Sequence, residues 1–234
     1  MAGTLDTRSK SMYEKLKSLS DYAFFLHKMS RARLVLSAGM PRSGSTLLFN
    51  ILRIALSKQP GQLSSGWIGD LKSIPRGSTY LLKVHDIGLH RAIRASQVFY
   101  TYRDIRDALV SNQRKFGHAS MSIARGWVKG YQFAQKHATR MISYEELTES
   151  LPETIAFLLE DLDVASSVQE VIAELPDQAK DVSANGYSKD SLLHADHRTN
   201  TTAGEWREVL DPNLCDSVNA EFGWWFEENG YESS

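Results

Sequence analysis

Residues 33–52 read RLVLSAGMPRSGSTLLFNIL, and this stretch decides the fold. Leu34-Val35-Leu36 is a short apolar run with charge before it and small residues after it, the pattern of a buried strand. Gly39, Pro41 and Gly44 mark a turn, and Leu47, Leu48, Ile51, Leu52 and Ala55 then recur at helical spacing. Strand, glycine turn and helix together make an anion cradle. The glycines admit close backbone approach, and the free N–H groups of the helix N-terminus point at the charge.

Four residues separate Gly39 from Gly44, as in the phosphate loop of nucleotide triphosphatases, and Ser45 and Thr46 follow. That motif requires Lys directly after its second glycine to reach the β- and γ-phosphates. Ser45 stands there instead, and the turn's one cation is Arg42. Such a loop suits a nucleotide 5′-phosphate better than a triphosphate. An ordinary glycine turn is the plain alternative, but the crowding of Arg, Ser and Thr favours an anion site.

Working outward, the segments repeat one theme. Tyr80–His85 begins apolar and ends in Lys83 and His85; Gln97–Tyr102 leads into Arg103; Arg140–Tyr144 leads into Glu145 and Glu146. Helical patterns occupy Asp104–Lys115, Ser120–Lys136 and Glu153–Leu162, and a further amphipathic helix is expected over 10–30. Asp211-Pro212 opens a C-terminal helix in which Trp224-Trp225-Phe226 reads as core packing. Residues 57–78 and 176–204 read as connections. This alternation predicts an α/β fold with a parallel β-sheet flanked by helices on both faces. Ligands in such sheets sit at the carboxyl ends of the strands, where each segment delivers polar or cationic groups.

Composition sets the bounds. A chain of 234 residues reads as a single domain over 1–234. Lys+Arg 27 against Asp+Glu 28 gives a net charge of −1, so neither a nucleic-acid nor a membrane partner is expected. Cys215 is the sole cysteine, no Cys/His spacing suits a metal, and no apolar run is long enough to span a bilayer. The N-terminus lacks a signal-peptide h-region. A cytoplasmic location is the expectation; oligomeric state is not readable.

Arg103 and Ser111, eight residues apart on a strand end and the following helix, suit a second phosphate distinct from the one in the loop. At this point the sequence resembles the sulfotransferases that use 3′-phosphoadenosine 5′-phosphosulfate. Gly39–Thr46 resembles their 5′-phosphosulfate loop, and Tyr102–Ser111 their 3′-phosphate motif. Lys83-Val84-His85 resembles the Lys-x-His of the cytosolic branch, Tyr144–Leu147 the adenine-contacting segment, and Gly204-Glu205-Trp206-Arg207 the Gly-Asp-Trp-Lys of the cofactor loop. The matches run in family order over about residues 33–207. Arg42 stands where cytosolic members carry Lys and follows the Golgi-type members; Leu47 replaces the Trp that often stacks on adenine.

The resemblance implies a P-loop-like sulfotransferase fold, a metal-free reaction with that donor, and a hydroxyl or amine acceptor, free or exposed on a larger molecule. It implies His85 as base, with Arg42 and Lys83 as catalytic cations. It assigns the donor to Arg42, Ser43, Gly44, Ser45, Thr46, Arg103, Ser111, Tyr144 and, one residue out of register, Arg198. Asp86, Asp70 and His90 are alternative bases; Trp67, Phe116, His118 and Tyr187 are candidate acceptor walls. Two rival readings stay open: a nucleotide kinase or triphosphatase with a degenerate loop, and a non-catalytic binder of adenosine 3′,5′-bisphosphate.

Overall fold

Leu34, Val35 and Leu36, wholly buried, form the centre of strand β1 (Arg33–Gly39) in the computed structural model. The structure describes residues 23–175, 186, 188–193 and 202–232, and His90 by its backbone alone. The sequence reading places two features outside them, Arg198 and Tyr187, together with most of 176–204. Of the amphipathic helix expected over 10–30, residues 23–30 are described: 23–29 are helical and Ser30 is in a turn.

Five parallel strands follow the order β2–β3–β1–β4–β5, with β2 Leu63–Trp67, β3 Thr79–Val84, β4 Gln97–Tyr102 and β5 Arg140–Ser143. Period-two alternation turns Val35, Leu81, Phe99 and Ile142 to one face, against helix α1 (Ser45–Ser57). Leu34, Leu36, Leu82 and Val98 face the other way. Chain order names the next helices α2 (Leu89–Arg94), α3 (Ile105–Phe116), α4 (Met121–His137), α5 (Tyr144–Glu149), α6 (Leu151–Leu162), α7 (Val168–Glu174), α8 (Trp206–Val209) and α9 (Pro212–Glu228). Buried residues of α6 complete the first core, and those of α3, α4 and α9 the second. Both faces of the sheet are covered, which is why its central strands are near-continuous apolar runs.

Local chemistry sets the helix boundaries. The Asp104 side chain caps α3 by accepting the Arg106 N–H, and Gly117 ends that helix at φ 80°. Asp211 caps α9 ahead of Pro212, and its Trp225 and Phe226 are buried as read, with Trp224 at the surface. Three elements differ from the sequence reading. Residues 57–78 contain strand β2, whose Leu-Ser-Ser-Gly-Trp has little strand propensity and forms because it completes the open edge of β3. Tyr144 opens helix α5 rather than ending a strand, because Ser143 and Glu146 form a reciprocal capping box. Short α2 carried no periodic signal. Among the described residues, no helix is long and apolar enough to cross a membrane.

Candidate active site

Register brings the strand ends into line. Ser37 pairs with Lys83 and Ala38 with Val84, so His85 comes level with Gly39; on the other side Gly39 pairs with Thr101. Arg103 therefore lies two residues beyond the same row. The carboxyl ends of β3, β1, β4 and β5 thus present Lys83 and His85, the Gly39–Thr46 loop, Arg103 and Tyr144 along one rim. The chain winds to opposite sides of β1 from here, the crevice position where open α/β sheets hold ligands.

The loop is shaped by backbone and by inward ties. Arg42 (φ 70°) and Gly44 (φ 79°) both adopt the left-handed conformation. Ser43 is fully buried, its hydroxyl bonded to the Met40 carbonyl at 2.6 Å and the Thr101 hydroxyl at 2.6 Å, and its N–H to Met40. That side chain staples the loop to β4. A Cβ on Gly39 would collide with Thr101 Oγ1 and lie 2.9 Å from Ser45 Cβ. Gly39→Ala is accordingly expected to destabilise the fold by roughly 1–3 kcal/mol through overpacking, read as a fall in Tm. An unchanged Tm would mean that the loop has room to shift.

The cations crowd one another. Arg42 Nε donates to Ser111 Oγ at 2.9 Å, so the loop and the helix after Arg103 meet. Burial, then the Arg103 charge, lowers the Arg42 pKa. Lys83, 7% exposed, donates to Thr46 Oγ1; burial and the Arg42 charge push its pKa down to about 7. The Arg103 guanidinium lies 4.1 Å from the centre of the Tyr144 ring. Tyr144 in turn borders Gly44, where an added Cβ would meet its ring at 3.3 Å. Like charges held this close in a partly buried rim favour an anion between them.

His85 is oriented from two sides. Its Nδ1 lies 3.0 Å from the Gly39 carbonyl, which can only accept, so Nδ1 carries the proton and Nε2 keeps a free lone pair. The Trp67 ring packs at 5.3 Å on its flank. His85 is exposed to solvent by accessible area, while the Gly39 carbonyl and the Trp67 ring pack against it. Desolvation by the surrounding atoms lowers its pKa, with smaller contributions from Lys83 and Arg42, against the opposing pull of the Gly39 bond.

The five-stranded topology and this rim can be set beside known proteins. No family model matches the sequence, and no curated protein matches it. Among solved structures, mouse sulfotransferase SULT7A1 complexed with PAP superposes with a TM-score of 0.59 at 15% identity, over 86% of this chain and 88% of that one. Retinol dehydratase with androsterone and the inactive cofactor PAP gives 0.53 at 15% identity, over 84% and 80%. The same enzyme with retinol and PAP gives 0.55 at 13%, over 85% and 81%. The chain has the sulfotransferase fold.

Within that fold, the structure brings together Arg42, Lys83, His85, Arg103, Ser111, Thr46 and Tyr144. It leaves Phe116, 59% exposed, and His118 at the exposed end of α3. The Asp86 carboxylate accepts the Gly88 N–H at 3.1 Å, and Asp70 lies in the turn after β2. Reading residues singly missed the supports. Asp107 accepts the backbone N–H groups of Gly204 (2.9 Å) and Trp206 (3.3 Å), fixing the Gly204–Arg207 segment on α3. Tyr231 donates to Glu145 at 2.9 Å, tying the C-terminal tail to the helix that begins at Tyr144. Neither carries a local signal, since each joins residues about ninety positions apart. Among the described residues no group of three or more His, Cys, Asp or Glu could hold a metal ion.

Proposed function

We propose that this protein is a sulfotransferase that moves a sulfuryl group from 3′-phosphoadenosine 5′-phosphosulfate to a hydroxyl or amine acceptor. The observation that carries the reading is the convergence of Arg42, Lys83 and Arg103 with an oriented His85 on one rim of the sulfotransferase fold. The residues fit such a donor: a glycine-shaped loop with no room for a Cβ at Gly39, three crowded cations, and a second polar position at Ser111.

When bound, the donor supplies the sulfuryl group and leaves as adenosine 3′,5′-bisphosphate. His85 Nε2 takes the acceptor proton, which frees the oxygen or nitrogen lone pair to form the new bond to sulfur. Arg42 and Lys83 stabilise the charge that grows on the departing phosphate oxygen. The α1 N-terminus with Ser45 and Thr46 holds the 5′-phosphate; Arg103 and Ser111 take the 3′-phosphate, and Tyr144 borders the base. PAP bound to the structural neighbours supports this class of nucleotide. Retinol dehydratase forms complexes with androsterone and with retinol, and a small molecule bearing a hydroxyl is the corresponding acceptor class here.

Thermal-shift titration tests the reading. Adenosine 3′,5′-bisphosphate is expected to raise Tm well above the effect of ATP with Mg²⁺. Preference for ATP with Mg²⁺ would overturn it in favour of a kinase or triphosphatase; bisphosphate binding without turnover on any acceptor would leave a nucleotide sensor.

Lys83 adds a pH signature. With a pKa near 7 in the free protein, its amine is largely neutral at about pH 8, and a bound anion favours the ammonium form. Binding at that pH therefore takes up close to one proton, and affinity falls as pH rises above about 7. Calorimetry in buffers of different ionisation enthalpy measures the uptake, which Lys83→Met should remove. Uptake persisting in that variant would assign it elsewhere.

A further inference from the structure

Whole-chain charge is a sum, and it hides segregation. Three segments remote in sequence adjoin in the fold. Lys28 donates to the carbonyls of Leu71 and Ile74, and Arg76 approaches His27 at 3.4 Å. On the other flank, Arg94 reaches the carbonyls of Met29 and Ala32. Residues 23–32 are thus the middle of a face, with 71–77 on one side and 87–96 on the other. Together the three segments hold Lys28, Arg31, Lys72, Arg76, Arg91 and Arg94, and no Asp or Glu, in a chain whose net charge is −1. In sequence the three segments are flanked by Asp21, Asp70 and Asp86. Arg31, Lys72 and Arg76 are exposed. Burial, then the Arg76 charge, lowers the Lys28 pKa, and Arg91 at the margin feels the Asp86 carboxylate.

Exposed apolar side chains belong to the same segments. Leu89 and Ile93, 55% and 76% exposed, lie four residues apart on α2 and hence on one side of it. Leu26, 37% exposed, projects from the middle segment. Exposed aliphatic groups among cations suit a surface that is anionic outside and apolar just beneath. Nucleic acid or an acidic polysaccharide satisfies the charges but gives nothing to Leu89 and Ile93.

We propose that the face formed by residues 23–32, 71–77 and 87–96 docks this protein on an anionic lipid bilayer, with the His85 end of the site beside the lipid. The proposal revises the expectation, drawn from net charge, that no membrane partner exists. It stands independently of the transferase reading, because its test uses no turnover.

The experiment is vesicle cosedimentation of the full chain, comparing phosphatidylcholine with phosphatidylcholine–phosphatidylserine vesicles. Binding is expected to the anionic vesicles, and to weaken with added salt. Arg31→Ala with Arg76→Ala should weaken it about thirtyfold. Leu89→Ser with Ile93→Ser should weaken it about tenfold or more, while leaving retention on heparin unchanged. All four positions are exposed, and an unchanged melting curve checks each variant. No preference for anionic vesicles overturns the proposal. So does vesicle binding that ignores Leu89 and Ile93, which would make this a general polyanion surface.

Discussion

Replacing His85 by alanine is expected to lower sulfuryl transfer roughly a hundred- to ten-thousandfold, the usual worth of a positioned general base, with bisphosphate affinity little changed. The asymmetry follows from the geometry. The imidazole spends Nδ1 on the Gly39 carbonyl and lies beside Trp67, at the end of β3, while Arg42, Arg103 and Ser111 belong to other elements. Its removal leaves the cations in place. Single-turnover transfer beside calorimetric bisphosphate binding separates the two effects. Full activity in His85→Ala would move the base elsewhere, Asp86 being the nearest carboxylate in the chain. The same geometry makes a pH statement. Because burial lowers the His85 pKa, the base stays neutral until the pH falls below the ordinary histidine range near 6.5, and the acid limb of the rate should lie there. An acid limb above that value would contradict the enclosed Nδ1.

Arg103→Ala should be the most damaging change for nucleotide binding, weakening adenosine 3′,5′-bisphosphate roughly a hundredfold or more. Arg103 is 3% exposed, and its guanidinium rests on the Tyr144 ring. A cation already desolvated and held flat against an aromatic ring needs little reorganisation to meet a phosphate, so its loss removes a pre-positioned contact. The loss for adenosine 5′-phosphate should be much smaller, because that ligand lacks the 3′-phosphate. Arg103→Lys should restore only part of the affinity, since an ammonium neither stacks as a plane nor offers two parallel donors. Equal losses for the two nucleotides would show that Arg103 does not read the 3′-phosphate. A melting curve of the variant is the control, because Asp107 and Glu145 both feel the Arg103 charge.

Much of this was legible in one dimension because it is local chemistry. Glycines at 39 and 44 followed by a helical stripe can hardly read otherwise, and Asp104, Asp211 and Pro212 announce their helices through capping rules that span a few residues. Alternating strand and helix patterns implied the parallel sheet, and the polar residues closing each strand implied where a ligand would lie. The Ser143–Glu146 capping box was equally present in the sequence but was masked by the strand pattern before it. Strand β2 is a different case. Little in Leu-Ser-Ser-Gly-Trp prefers an extended chain, and the unpaired edge of β3 gives its backbone groups partners.

By itself the sequence determined which residues can carry charge, protons and hydrogen bonds, and the order in which strands and helices present them. Tertiary structure decided their company. It turned the Ser43 hydroxyl inward to Thr101, set Lys83 beside Arg42 so that its amine titrates near 7, and fixed the His85 tautomer through a carbonyl 46 residues away. It also brought Lys28, Arg76 and Arg94, from three distant segments, against residues 27–32 and 71–74. The physical reason is common to all of these. Propensity and capping act over a turn or two of chain, whereas pKa, tautomer and surface potential depend on distances in space, which the parallel register sets.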